Sequence, residues 1–174
     1  MGCDIHAMIE IRCPHDSFPE STYEYWHNAG DPMIGRDYEL FAVLAGVRND
    51  YGITPISEPR GMPEDSCSEI DAYSEKFGID GHSHSWLTLE ELRSFNPKQT
   101  IFDNNLVIAR NNAGRVTETA GWTNREHFGP VGSRQVFDLW GSQHWERVMR
   151  QLERVADRFD GDGSRVRLVF FFDN

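Results

Sequence analysis

The run Met1-Gly-Cys-Asp-Ile-His-Ala-Met-Ile-Glu10 reads as a β-strand. Successive side chains on a strand point to opposite faces. Ile5, Ala7, Ile9 and Ile11 therefore share one apolar face, and Asp4, His6 and Glu10 share the other, with Met8 among them. A strand over 3–12 with one apolar face needs a layer to bury it. Residues Val166 to Phe172 read as a second strand, apolar on both faces, which is the pattern of a strand in the middle of a sheet. The two strands are expected to be neighbours.

Helices are expected to supply the covering layer. Asp37 is placed to cap a helix carrying Tyr38, Phe41, Leu44 and Ala45, with Gly46 as its stop. Thr88-Leu-Glu-Glu91 is a capping box, and its helix should end near Phe95, before Asn96-Pro97. Ser133 is a second cap, for a helix through Trp140. A longer helix from Ser142 carries Trp145, Val148, Met149, Leu152, Val155, Ala156 and Phe159 at helical spacing. Tyr23–Trp26 reads as a short strand. Leu106–Arg110 and Val116–Thr119 flank Asn111-Asn-Ala-Gly114 as a hairpin. Residues 47–84 carry Pro55, Pro59, Gly61 and Pro63 and read as irregular chain. So long a loop is expected to wall a site, or to hide a short helix within 66–77. The pattern is an α+β domain over 1–174: a single mixed or antiparallel sheet with three to four helices packed on it.

Composition narrows the function. The 174 residues carry 28 acidic against 17 basic side chains, a formal net charge of −11. Such a surface opposes non-specific nucleic-acid binding, which needs a basic footprint. No apolar run approaches the roughly 20 residues of a membrane span. The N-terminal stretch lacks the basic region and long apolar core of a secretory leader. Cys3, Cys13 and Cys67 are odd in number and lack CxxC spacing, so a reducing cytoplasm is the expected compartment.

The chemistry concentrates in two polar patches. Asp4 and His6 are two positions apart on one strand face. Asp80-Gly-His82-Ser-His84-Ser carries two more imidazoles, which point the same way if that segment is regularly extended. Imidazole and carboxylate together suit zinc or manganese. Asp4, His6, His82 and His84 are thus the candidate metal ligands, and Asp80 is a further ligand or catalytic base. A bound metal would acidify a water and polarise a phosphoryl oxygen. Arg60, in the stiff Glu-Pro-Arg-Gly-Met-Pro run, is the candidate anion holder, with Arg48 as a second. His15, His27 and His144 stand alone and read as ordinary hydrogen-bonded side chains. Asp160-Gly-Asp-Gly163 lacks the glycine and glutamate of a calcium loop.

The start Met-Gly-Cys-Asp-Ile-His, the run Asp37-Tyr-Glu-Leu-Phe-Ala-Val-Leu-Ala-Gly-Val-Arg48, Pro59-Arg-Gly-Met-Pro-Glu-Asp65, His82-Ser-His-Ser-Trp-Leu-Thr-Leu-Glu-Glu-Leu92 and Val169-Phe-Phe-Phe-Asp-Asn174 resemble a family of small uncharacterised proteins. These are encoded by bacteriophages, notably those of actinobacteria, and by some bacteria. The resemblance spans nearly the whole chain and brings no catalytic residues with it. It implies a phage-type accessory protein in the host-cell cytoplasm, of the kind that counters host defence.

Three functions remain open. One is a metal-dependent hydrolase of a phosphate-containing small molecule or nucleotide. Another is a non-catalytic protein that captures a small anionic ligand or nucleotide signal. A third is an acidic inhibitor that blocks another protein.

Overall fold

The structure is a computed structural model that describes residues 2–14, 22–50, 52–103, 106–110, 116–120, 132–137 and 142–174. In chain order its elements are β1 (Asp4–Pro14), β2 (Glu24–Gly30), α1 (Tyr38–Ala45), α2 (Ser68–Glu75), β3 (His82–Thr88), α3 (Leu89–Ser94), β4 (Thr100–Asp103), β5 (Leu106–Arg110), β6 (Val116–Ala120), β7 (Gly132–Gln135), α4 (Ser142–Ala156) and β8 (Val166–Asp173). The fold is α+β. The main sheet has the order β2-β1-β8-β3, with every neighbouring pair antiparallel.

The expected pairing of the first and last strands is present, with Ile5 opposite Phe172 and Ile11 opposite Val166. Ile5, Ala7, Ile9 and Ile11 of β1 join Val166, Leu168, Phe170 and Phe172 of β8 on the first face, in the main core. That core is completed by Leu40–Ala45 of α1, Leu89 and Leu92 of α3, and Val148, Leu152, Val155 and Ala156 of α4. The second face has a smaller core, in which Val169 and Phe171 pack with Cys67 and Ile70 at and within α2. The strand β8 is buried from Val166 through Phe172 because helices cover it from both sides. Burial of this kind, at roughly 25 cal/mol per Å² of apolar surface, is the main force holding the layers together.

The local signals act as expected at two helix starts. The Asp37 carboxylate accepts the Leu40 N–H at 3.1 Å, and Gly46 closes α1 at φ 70°. Thr88 and Glu91 form the full capping box of α3. The pairing of β5 with β6 realises the expected hairpin strands, while its turn at 111–114 lies outside the described residues.

Two elements depart from the sequence reading, and a third realises one of its alternatives. The helix from Ser133 is replaced at its start by β7, where Ser133 pairs with Phe102 of β4. Ladder hydrogen bonds there take the place of a helix cap, and 138–140 lie outside the described residues. The polar run before the capping box is the edge strand β3, where Ser85 and Leu87 are buried. The long loop contains α2, the short helix within 66–77. Among the described residues no helix is long and apolar enough to cross a membrane.

Candidate functional site

The second face carries the polar residues of β1, and the structure divides them into two groups. At one end, His6 lies under α2. Its ring stacks on Phe171 at 5.0 Å between centroids and leans on Phe77 at 4.2 Å. Nδ1 lies 3.0 Å from the Tyr73 hydroxyl. The Asp173 carboxylate comes within 3.5 Å of Nε2 but out of line for a hydrogen bond. His84 stacks on Phe171 as well, at 5.1 Å, and its Nε2 lies 2.7 Å from Ser74 Oγ.

His82 and His84 do not point the same way. Between His82 and Ser85 the register of β3 slips, because three steps on β3 match two on β8. The extra residue is accommodated at Ser83, where φ is 50°. A β-bulge of this kind breaks the two-residue alternation. His82 consequently stacks on Phe172 and His84 on Phe171, side chains that project from opposite faces.

The four candidate metal ligands therefore do not converge. His6 and His84 share a face, yet Phe171 and its strand lie between them. Strands two ladder steps apart are about 10 Å apart, whereas two imidazole nitrogens on one zinc are separated by roughly 3–4 Å. Asp4 is engaged elsewhere: Arg36 donates to both its oxygens, at 2.8 and 2.6 Å, and that bond holds the carboxyl below its ordinary pKa. Asp80 sits exposed in the turn before β3. Among the described residues no three His, Cys, Asp or Glu side chains form a group that could hold a metal ion. The bulge and the intervening β8 are what keep the two patches from forming one ligand group among the described residues.

The other end of the face is open and differently built. Glu10 and Arg167 are opposite each other in the ladder, with Arg167 Nε 2.6 Å from Glu10 Oε2. Glu10 also accepts the Cys67 N–H at 2.7 Å, doing for α2 what a capping side chain would do. Arg167 Nη1 reaches Asp65 at 2.8 Å, and Asp65 in turn accepts the Trp26 indole N–H at 2.9 Å. The guanidinium of Arg167 lies 3.9 Å from the Trp26 ring centroid and 5.6 Å from that of Trp86. Arg60 follows at 5.0 Å from Trp86. The result is a run of alternating indoles and guanidiniums: Trp26, Arg167, Trp86, Arg60. Cation–π contacts of this sort contribute about 0.5–2 kcal/mol each.

These groups floor a cleft of about 450 Å³ that also takes Arg12 from β1 and Met62 to Asp65 from the long loop. A wider hollow of about 730 Å³ adjoins it, sharing Arg12, Trp26 and Asp65, but it draws Ile11 and Arg12 from opposite faces of β1. It is a groove around the sheet end, whereas the smaller cleft lies on one face. The sequence-nominated Arg60 stands at the cleft, with its Nη atoms 2.5 and 3.1 Å from the Glu91 carboxylate. The second candidate, Arg48, donates to Asn174 Oδ1 at 3.0 Å. Residues Met62 to Asp65 of the long loop form one wall of this cleft. Trp26, Asp65 and Arg167 were missed in the sequence. The signal was Arg167, a charge within an otherwise apolar central strand, which requires a buried partner.

Comparison with protein-family models, with curated proteins and with solved structures gave no match.

Proposed function

We propose that the protein captures a small anionic ligand with a planar ring, of the nucleotide class, in the cleft between Trp26 and Trp86, without chemical turnover. The observation that carries this reading is the alternating indole and guanidinium floor. Its side chains are already fixed by Glu10, Asp65 and Glu91, so little ordering entropy is lost on binding. The volume falls within the roughly 300–1,000 Å³ of small-molecule sites. Three guanidiniums, Arg12, Arg60 and Arg167, line the cleft, and they are held by Glu24, Glu91 and Glu10 respectively. Arg12 is half-exposed and 3.7 Å from Glu24, whose other oxygen is held by Arg165 at 2.6 Å. Its guanidinium is therefore the most readily redirected to a ligand.

Metal-dependent hydrolysis has less to stand on, because its ligand set is dispersed over both faces. Capture also fits the setting implied by the resemblance, a phage accessory protein that withdraws a host signal. The test is mass spectrometry of a nucleotide panel before and after incubation with the protein. Capture leaves every nucleotide intact and returns one of them unchanged after denaturation of the protein. Appearance of a hydrolysis product, suppressed by chelator, overturns the reading in favour of a metal hydrolase.

A further inference from the structure

We propose a second site, under α2 on the same sheet face: Ser74 is a serine nucleophile, His84 is its general base, and the substrate is a small carboxylic ester. It is independent of the cleft. Ser74 Oγ and His84 Nε2 are 2.7 Å apart, inside the hydrogen-bond range expected of a nucleophile and its base. Phe171 fixes the imidazole plane, lying 18° from parallel at 5.1 Å between centroids. The bulge at Ser83 turns His84 to this face, away from His82. Gly81 permits the close approach of the preceding turn. A Cβ there would meet Phe77 Cβ at 3.3 Å and His84 Cε1 at 3.6 Å. Both members of the pair are half-buried, so a small substrate reaches them from the surface.

In the tautomer protonated at Nδ1, the Nε2 lone pair of His84 faces the Ser74 hydroxyl. Attack forms the bond from Ser74 Oγ to the ester carbonyl carbon as the Oγ proton passes to Nε2. The carbon–alkoxy bond then breaks, and the leaving alcohol takes that proton. Water, deprotonated by the same nitrogen, cleaves the acyl-serine and releases the acid. The serine and the neutral imidazole are restored.

The adjacent Tyr73 is the internal comparison, since its hydroxyl faces His6 in the same way at 3.0 Å. The experiment treats the intact protein with a fluorophosphonate and maps the adduct by peptide mass spectrometry. Hydrolysis of p-nitrophenyl acetate is followed in parallel. The expected adduct is on Ser74. Ser74→Ala abolishes it while leaving the thermal transition in place. His84→Gln slows both labelling and hydrolysis by about 100-fold or more, the usual contribution of a general base. No adduct, an adduct on Tyr73, or hydrolysis undiminished in Ser74→Ala overturns the proposal.

Discussion

Glu10 and Arg167 form an ion pair closed to solvent, 2.6 Å between Oε2 and Nε, with the side chains 0% and 4% exposed. The pair joins the two central strands, and through the Cys67 N–H it also anchors α2. Removing one partner of a buried pair strands the other charge, at a cost of about 3–5 kcal/mol. Arg167→Met should therefore lower unfolding free energy by that amount in urea titration. The double variant Glu10→Leu, Arg167→Met should lose less, about 1–3 kcal/mol, because no buried charge is stranded: the Cys67 N–H loses its acceptor, and the exposed Asp65 carboxylate exchanges Arg167 for water. Equal losses would show that the charge is not what matters.

Trp145 on α4 stacks on Phe137 at 5.6 Å and leans on Phe95 at 5.4 Å, joining α4 to the end of α3. Its apolar stripe is the one read from the sequence. Trp145→Ala should cost about 3 kcal/mol, the low end for a large aromatic because the ring is only partly buried. A loss below about 1 kcal/mol would place that ring outside the fold's packing.

The bulge at Ser83 holds a non-glycine residue at φ 50°. Left-handed backbone costs such a residue about 1–2 kcal/mol. Ser83→Gly should stabilise the protein by about 1 kcal/mol, and Ser83→Val should destabilise it, in thermal or chemical unfolding. Destabilisation by Ser83→Gly would mean that the hydroxyl, 3.0 Å from His82 Nδ1, outweighs the backbone strain.

Much of this fold is legible because its signals are local or strictly periodic. The alternation in Ile5 to Ile11, the apolar run to Phe172 and the Thr88–Glu91 box each state their structure within a few residues. The His82–His84 geometry is illegible for the opposite reason. One extra residue in a strand reverses every side chain beyond it, and nothing in Asp-Gly-His-Ser-His-Ser marks where it falls. The cleft is also hidden, since Trp26, Asp65, Trp86 and Arg167 come from four separate segments. Only Arg60 and the irregular loop pointed to it.

Glu91 links the cleft to α3 and should show its charge in acid. Burial pushes its pKa up, but the Arg60 fork and the Thr88 N–H outweigh that and hold it below the ordinary 4.5. A carboxyl with a lowered folded-state pKa contributes stability above its unfolded value, and that contribution is lost as pH falls through the folded value. Glu91→Gln keeps the capping geometry and removes the charge, so it should cost about 0.5–1 kcal/mol at pH 7. The difference between the two proteins should close in acid, once pH has fallen through the lowered folded-state value. A difference that persists in acid would rule out the ion pair with Arg60 as its cause.

Calorimetric titration of the intact protein with nucleoside mono- and triphosphates tests the central claim most directly. One ligand should bind per chain, with an affinity that Arg12→Ala weakens at least tenfold, about 1.4 kcal/mol, while the unfolding transition stays unchanged. Absence of binding by every nucleotide, or equal affinity in the wild type and Arg12→Ala, would contradict it.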